Sequence, residues 1–280
     1  MQKTKRKVAV TGSTGLVGTR IVELLSDSFT FLPLLQAQVD ITNRIQVQEY
    51  LHNLDFDVLL HLAAYTDVDR AEVEKEMAKK INVDGTLYLF ESAMHKKSTF
   101  IYISTDFVFD GTNPPYTENV APHPISHYGM TKYLGENIVK DKGTIVRISY
   151  PYRTYFDQKK DFVRSVRTLL QQNKQLPMVA DSLITPTYID DIAYALKQIL
   201  LEPSPSIFHI TGADSLSPYE AGKLIANIYN LDDKLITKTT YKDYFKGKAL
   251  RPRYSDIKSV HTAFNKMKSF EEGLQFMQKN

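Results

Sequence analysis

The chain has 280 residues, room for one large or two modest domains at about 150 residues each. Its 42% apolar and 24% charged residues are ordinary globular usage, enough to bury a sizeable core. A balance of 35 basic against 32 acidic side chains leaves +3, too little to indicate a nucleic-acid binder, and the absence of cysteine excludes disulfides, thiolate zinc sites and a cysteine nucleophile.

No apolar run approaches the ~18 residues that span a bilayer. The segment Met1–Lys7 has four basic residues but no apolar signal core, so it reads as a solvated tail on a soluble, cytoplasmic protein. Next, Lys7–Thr11 is short and β-branched, the pattern of a buried strand. After a glycine-rich turn, Leu16, Val17, Ile21, Leu24 and Leu25 recur on one side of a predicted helix. A weaker strand follows around Phe29–Leu35, where Pro33 cannot donate to a ladder, then a helix over Gln46–Asn53. Asp57–Leu62 reads as a buried strand ending at Ala63 and Ala64. The charged stretch Asp67–Lys80 reads as an exposed helix, leading through Asn82–Thr86 into a helix to about His95. Thr99–Ile103 is a fourth strand, stopping at Ser104-Thr105-Asp106, and the proline-rich run Asp110–Pro124 is irregular. A helix over Tyr128–Lys140 precedes the strand Thr144–Ile148.

This alternation predicts an α/β fold: a Rossmann-type, doubly wound parallel sheet over residues 1–148, covered by helices on both faces. Beyond Ser149 the predicted helices are Phe162–Gln172, Asp190–Leu201 and Pro218–Tyr229, and the predicted strands Met178–Ala180 and Ile207–Ile210. They indicate a smaller, mostly helical substrate lobe over 149–280, with elements within 186–212 completing the first sheet.

A tight strand-to-helix turn lets a pyrophosphate approach backbone N–H groups at the positive end of a helix. Side chains at Gly12, Gly15 or Gly18 would obstruct the turn, the phosphates or the helix packing. The spacing is G-x-x-G-x-x-G, and glycines also mark ordinary turns, but its place between first strand and first helix points to a dinucleotide. Gly12, Ser13, Thr14, Gly15, Leu16, Val17 and Gly18 are therefore candidate cofactor contacts. The second strand ends Leu34-Leu35-Gln36-Ala37 without the acidic residue that normally binds a ribose 2′-hydroxyl. Asp40, 22 positions after Gly18, equally reads as a helix cap. Missing negative charge tolerates a 2′-phosphate, within reach of Arg20, which favours NADPH over NADH without excluding either.

Tyr128 and Lys132 are four apart on a predicted helix and so share a face. A free phenol titrates near ~10; a neighbouring ammonium favours phenolate and brings it closer to acid–base range. Thr105 ends the fourth strand, where open sheets place ligands, and its hydroxyl can bond the carbonyl oxygen that Tyr128 protonates. A lone Tyr-x-x-x-Lys is common on helix surfaces and a strand-end threonine is often a cap. The joint order of glycine turn, strand-end hydroxyl, tyrosine and lysine favours catalysis.

These residues, with the runs Leu62–Asp69, Asn82–Thr86, Ser104–Gly111, Tyr128–Lys132, Arg147–Ser149, Arg251-Pro252 and Glu272–Leu274, resemble the extended short-chain dehydrogenases/reductases. The likeness is closest to the dTDP-4-dehydrorhamnose reductase-like branch and covers nearly the whole chain. It implies reduction of a keto group on a nucleotide-activated deoxy sugar by NAD(P)H. Carried over, Tyr128 is the general acid, Lys132 holds the nicotinamide ribose and lowers the tyrosine pKa, and Thr105 orients the carbonyl. Ala63, Ala64 and Tyr65 would line the cofactor, Asp40 and Ile41 meet adenine, and Val68, Asp106 and Phe107 border the sugar. Tyr150 stands where the reductases carry a substrate-packing tryptophan, and this chain has no tryptophan. The same branch includes the regulatory beta subunit of methionine adenosyltransferase, a non-catalytic binding partner. The superfamily also includes sugar-nucleotide epimerases and dehydratases, whose acidic residue beside the strand-end hydroxyl corresponds to Asp106.

A sugar-nucleotide diphosphate needs cations, and Arg153, Lys159, Lys160, Arg164 and Arg167, with Arg251 and Arg253, are candidates. Singly, each also reads as part of a solvated face. The histidines lack metal-ligand spacing, so no metal is expected, and His61 and His209 read as hydrogen-bonded core residues. Asp190 and Asp191 read as the start of a helix. A homodimer is compatible with the sequence, which does not fix the oligomeric state.

Overall fold

The computed structural model describes residues 5–261 and 267–279. In chain order its first half comprises β1 (Arg6–Thr11), α1 (Leu16–Leu25), β2 (Phe29–Leu34), α2 (Arg44–His52), β3 (Val58–His61), α3 (Val68–Ala71), α4 (Lys75–Lys79), α5 (Gly85–His95), β4 (Thr99–Thr105), α6 (His127–Val139) and β5 (Thr144–Ile148). The second half adds β6 (Pro151–Tyr152), α7 (Phe162–Gln171), β7 (Leu176–Val179), β8 (Thr187–Tyr188), α8 (Ile189–Leu201), β9 (Ile207–His209), α9 (Pro218–Ile228), β10 (Ile236–Thr239), α10 (Tyr241–Tyr244) and α11 (Phe270–Lys279).

Six strands form one parallel sheet in the order β2-β1-β3-β4-β5-β9. The order reverses at β1, where β2 lies on one side and β3 on the other, and open sheets bind ligands outside the strand ends at such a switch point. Both faces are dry, as the unbroken apolar runs Val8–Val10 and Val58–Leu60 require. One face packs under Ile21 and Leu25 of α1 and Ile192, Leu196 and Ile199 of α8. The other packs under Val47 and Leu51 of α2, Leu89 and Phe90 of α5 and Val139 of α6. Pro33 is tolerated because β2 is an edge strand, with Pro33 opposite Val10.

The second lobe has its own core, built from Val163, Val166 and Leu170 of α7, Ile225 of α9, and Phe270 and Leu274 of α11. Two small parallel sheets, β6-β8 and β7-β10, accompany the helices; three of these four strands escaped the sequence reading, and two are only a dipeptide long. β9 leaves this half to pair with β5, so the sheet is completed by chain from beyond residue 186.

Two expectations change. The stretch Asp67–Lys80 is not one exposed helix: it breaks into α3 and α4, with Ala71 and Ala78 fully buried, and a π-helical turn at Lys80–Asp84 runs α4 into α5. Buried Asn82 in that turn accepts the Tyr65 N–H at 2.8 Å and donates to the Tyr65 carbonyl at 3.1 Å and to Thr131 Oγ1 at 2.9 Å. Nor is all of Met1–Lys7 a tail. Residues 1–4 lie outside the described residues, but Arg6 starts β1 and donates to the carbonyls of Leu200 and Leu201 at 2.6 and 3.0 Å, closing the C-terminus of α8. No helix among the described residues is long and apolar enough to cross a membrane.

Candidate active site

A cleft of about 660 Å³ opens at the C-terminal ends of the strands, bounded by both halves of the chain. Its floor begins at the glycine turn. Gly12 has φ +69°, and a Cβ there would come within 2.7 Å of the Ala63 nitrogen, so only glycine lets the loops after β1 and β3 meet. They are tied by Thr11, whose Oγ1 accepts the Leu62 and Ala63 N–H groups, each at 3.2 Å. A Cβ at Gly18 would overlap the Gly12 carbonyl. Helix α1 starts at Gly15 with no side-chain cap and no acidic residue in its first turn, and Leu16, Val17 and Gly18 line the cleft. Uncapped first-turn N–H groups facing a cavity are the cradle that a pyrophosphate needs.

Thr105, Tyr128 and Lys132 line the same cleft. Helix α6 is fixed there by Ser126, whose hydroxyl accepts the Gly129 N–H at 3.1 Å, and by Glu72, which accepts the His127 N–H at 2.7 Å. Gly129 has no room for a Cβ because the Phe107 carbonyl presses on it, which seats the tyrosine turn against the short 3-10 turn Asp106–Val108. Tyr128 packs edge-on to Phe107, ring centroids 5.5 Å apart. The Lys132 Nζ is buried, donates to the Ile103 carbonyl at 2.8 Å and lies 4.0 Å from the centre of the Tyr102 ring.

Burial holds the Tyr128 phenol above its ordinary pKa; the neighbouring Thr105 hydroxyl works against that, and the charge of Asp106 reinforces it. The depression expected from Lys132 is not what these surroundings produce, because the amine is turned to the Ile103 carbonyl and the Tyr102 ring. Burial brings Lys132 itself down to about 7, opposed by the charge of Glu136. The Asp106 carboxyl is raised by burial, against hydroxyl bonds from Ser255, Ser149 and Thr105. Thr105 donates to Asp106 Oδ1 at 2.9 Å, Ser149 donates to Oδ2 at 2.9 Å, and Ser255 donates to Oδ2 from the opposite lobe.

Thr14, Ala63, Ala64, Val68, Asp106, Phe107 and Tyr150 also line the cleft, whereas Ser13, Asp40, Ile41 and Tyr65 do not. Asp40 forms a local turn, accepting from the Thr42 N–H and hydroxyl at 2.9 and 2.8 Å, and the Tyr65 hydroxyl donates to Glu74 at 2.7 Å. Tyr150 faces the cleft from a left-handed backbone, φ +39°, a conformation that costs a side-chain-bearing residue ~1–2 kcal/mol.

The expected cations sort differently from the sequence reading. Arg20 does not reach toward a phosphate: it is bidentate to Asp190, 2.7 Å in both bonds. Arg153 pairs with Glu23 at 2.9 Å, Arg251 with Asp69 at 3.0 and 2.9 Å, and Arg253 with Asp181 at 2.6 Å. Arg164 is no solvated face but buried, bonded to Asp161 at 2.8 Å and to the Lys159 and Phe156 carbonyls. Lys159, Lys160 and Arg251 line the cleft, the two lysines with hydroxyl partners Thr66 and Thr168 at 3.2 and 3.3 Å. Ser104 was missed: it lines the cleft with its hydroxyl buried and without a hydrogen-bond partner among the described residues. Its only signal was its place beside Thr105 at the strand end.

The RmlD substrate binding domain family matches residues 6–280. The chain belongs to that family. It is 32% identical to the dTDP-4-dehydrorhamnose reductase of Aggregatibacter actinomycetemcomitans, over 92% of this chain and 93% of that protein. It is also 31% identical to methionine adenosyltransferase 2 subunit beta of Rattus norvegicus, over 81% of this chain and 73% of that protein. Among solved structures, a dTDP-4-dehydrorhamnose reductase from Bacillus anthracis, in complex with NADP, superimposes with a TM-score of 0.91 at 31% identity, over 99% of both chains. The Rossmann-like sheet and the glycine-turn cleft are thus those of an RmlD family member.

Proposed function

We propose that this chain is an NADPH-dependent reductase acting on the keto group of a nucleotide-activated 6-deoxy sugar. The observation that carries the reading is the meeting of Thr105, Tyr128 and Lys132 with an uncapped glycine turn in one cleft. The reductase relatives, one of them solved with NADP, support the cofactor and the substrate class.

The glycine turn would hold the pyrophosphate of the cofactor, whose reduced nicotinamide would supply a hydride to the sugar carbonyl carbon beside Tyr128 and Lys132. The oxygen must then gain a proton, and Tyr128 is the donor. A phenol is protonated at neutral pH, and burial keeps Tyr128 in that form until the hydride arrives. Lys132 holds the nicotinamide ribose and offsets the phenolate left behind. Thr105 has one hydroxyl proton; turned from Asp106 toward the cleft, it donates to the substrate oxygen. Ketone and hydride plus proton give the alcohol, with NADPH oxidised to NADP. Val68, Asp106, Phe107 and Tyr150 border the sugar, and Lys159 and Lys160 face its diphosphate.

The test mixes the protein and NADPH with 4-keto-6-deoxy sugar nucleotides and follows the absorbance of the reduced cofactor. Stoichiometric NADPH oxidation is expected. Turnover without net oxidation would indicate a dehydratase or epimerase, and tight cofactor binding without turnover would group the chain with the regulatory relatives.

A further inference from the structure

The Lys132 amine sits on an aromatic ring rather than in a polar shell. Tyr102 is fully buried on β4, on the sheet face that α6 covers, and its ring centre lies 4.0 Å from Nζ. The ring is held along its length: its hydroxyl donates to the Lys132 carbonyl at 3.3 Å, and a Cβ at Gly135 would overlap the phenol oxygen. Helix α6 thus carries a glycine one turn past Lys132 where the tyrosine enters.

Among the described residues, the other titratable and charged groups around the amine make no hydrogen bond to it. His61 on β3 is neutral, held down to about 3 by burial and then by the charge of Lys132. Its Nδ1 is bonded to Thr11 at 2.6 Å and its Nε2 to Thr86 at 3.1 Å. Glu136 on α6 lies within electrostatic range, but its carboxylate is engaged by Arg147 of β5 at 2.9 and 2.7 Å. Tyr128 is a protonated phenol. The amine's direct contacts among the described residues are the Ile103 carbonyl and the Tyr102 π-face, with the Glu136 charge favouring the ammonium from further off.

We propose that Tyr102 is a positioning residue whose ring, through a cation–π contact, keeps Lys132 an ammonium and aims it at the cleft. A desolvated cation–π contact is among the stronger of its kind, enough to move a lysine titration by about one pH unit. The inference rests on the proposed role of Lys132, but its primary readout does not.

The experiment follows the Lys132 side-chain 15N resonance against pH in the protein without cofactor, assigned by its loss in Lys132→Met. Tyr102→Phe keeps the ring and is expected to leave the midpoint in place. Tyr102→Leu is expected to move it about one unit toward acid. Phenylalanines of increasing fluorination at position 102 keep the shape while weakening the π-face, and a graded acid shift is expected even where the leucine variant fails to fold. The alkaline limb of kcat/KM is expected to move in parallel. A midpoint insensitive to fluorination overturns the proposal. Full turnover by Lys132→Met would instead overturn the reading of Lys132, leaving the resonance result to stand by itself.

Discussion

Arg20 and Asp190, 170 positions apart, form a two-bond clamp at 2.7 Å that fastens the helix after the glycine turn to the helix leading into the last sheet strand. Asp190 is buried and the arginine about a third exposed, so removing the guanidinium leaves a buried carboxylate without its cation, still accepting from the Tyr188 hydroxyl at 3.2 Å. Arg20→Ala is expected to cost about 2–3 kcal/mol in urea unfolding. Because the side chain is already engaged, the ratio of NADPH to NADH affinities is expected to stay within about two-fold. A collapse of NADPH affinity alone would restore Arg20 as a phosphate ligand.

Gly12 and Gly247 make a matched pair. Both have positive φ, +69° and +74°, but a Cβ meets the Ala63 nitrogen at 2.7 Å in the first case and nothing within 4 Å in the second. Gly247→Ala is expected to cost only the left-handed strain, about 1 kcal/mol. Gly12→Ala adds an overlap with backbone and is expected to cost at least twice as much and to abolish cofactor binding, measured by titration of cofactor fluorescence. Equal effects at the two positions would mean that the loops after β1 and β3 need not touch.

Two buried histidines contribute to the acid response. Burial brings His61 down to about 3 and His209 to about 4, the latter with Glu118 opposing. The unfolded chain takes up these protons as pH falls through ~6.5, before the folded chain does, so stability present above 6.5 is lost progressively down to the folded values. The loss approaches about 1.4 kcal/mol per pH unit for each histidine. His61→Gln is expected to flatten the dependence of unfolding free energy on pH between 4.5 and 6, even if it lowers the absolute stability. An unchanged slope would mean that His61 is protonated in the folded protein.

Ser255 donates to Asp106 across the two halves of the chain, and Asp106 also accepts a hydrogen bond from Thr105. Ser255→Ala removes a bond that favours the ionised carboxylate. The expected effect is about 1–2 kcal/mol of stability with Asp106 more readily protonated, and Ser255→Thr is expected to recover most of it. Thermal unfolding of both variants checks this; a wild-type midpoint for the alanine variant would contradict it.

The sequence carried the parts that depend on local order. Strand–glycine–helix at Val8–Ile21 and the four-residue spacing of Tyr128 and Lys132 fix which groups share a face, whatever the remainder of the chain does. Partners contributed from far away were not legible. Nothing near Arg20 announces Asp190, and the aspartate that satisfies Arg251 is Asp69. Tyr102 reads as core in a strand of apolar residues because burial and its service to Lys132 have the same sequence pattern. The π-helical turn at Lys80–Asp84 likewise has no periodicity of its own. It is defined by what Asn82 reaches, namely Tyr65 and Thr131.

The most direct test of Tyr128 as the proton donor is single-turnover NADPH oxidation by Tyr128→Phe with a 4-keto-6-deoxy sugar nucleotide. Removing the one hydroxyl that donates the proton is expected to slow the chemical step by about 10²–10⁴, with cofactor affinity unchanged. A rate equal to that of the unmodified protein would contradict the assignment of Tyr128 as the acid.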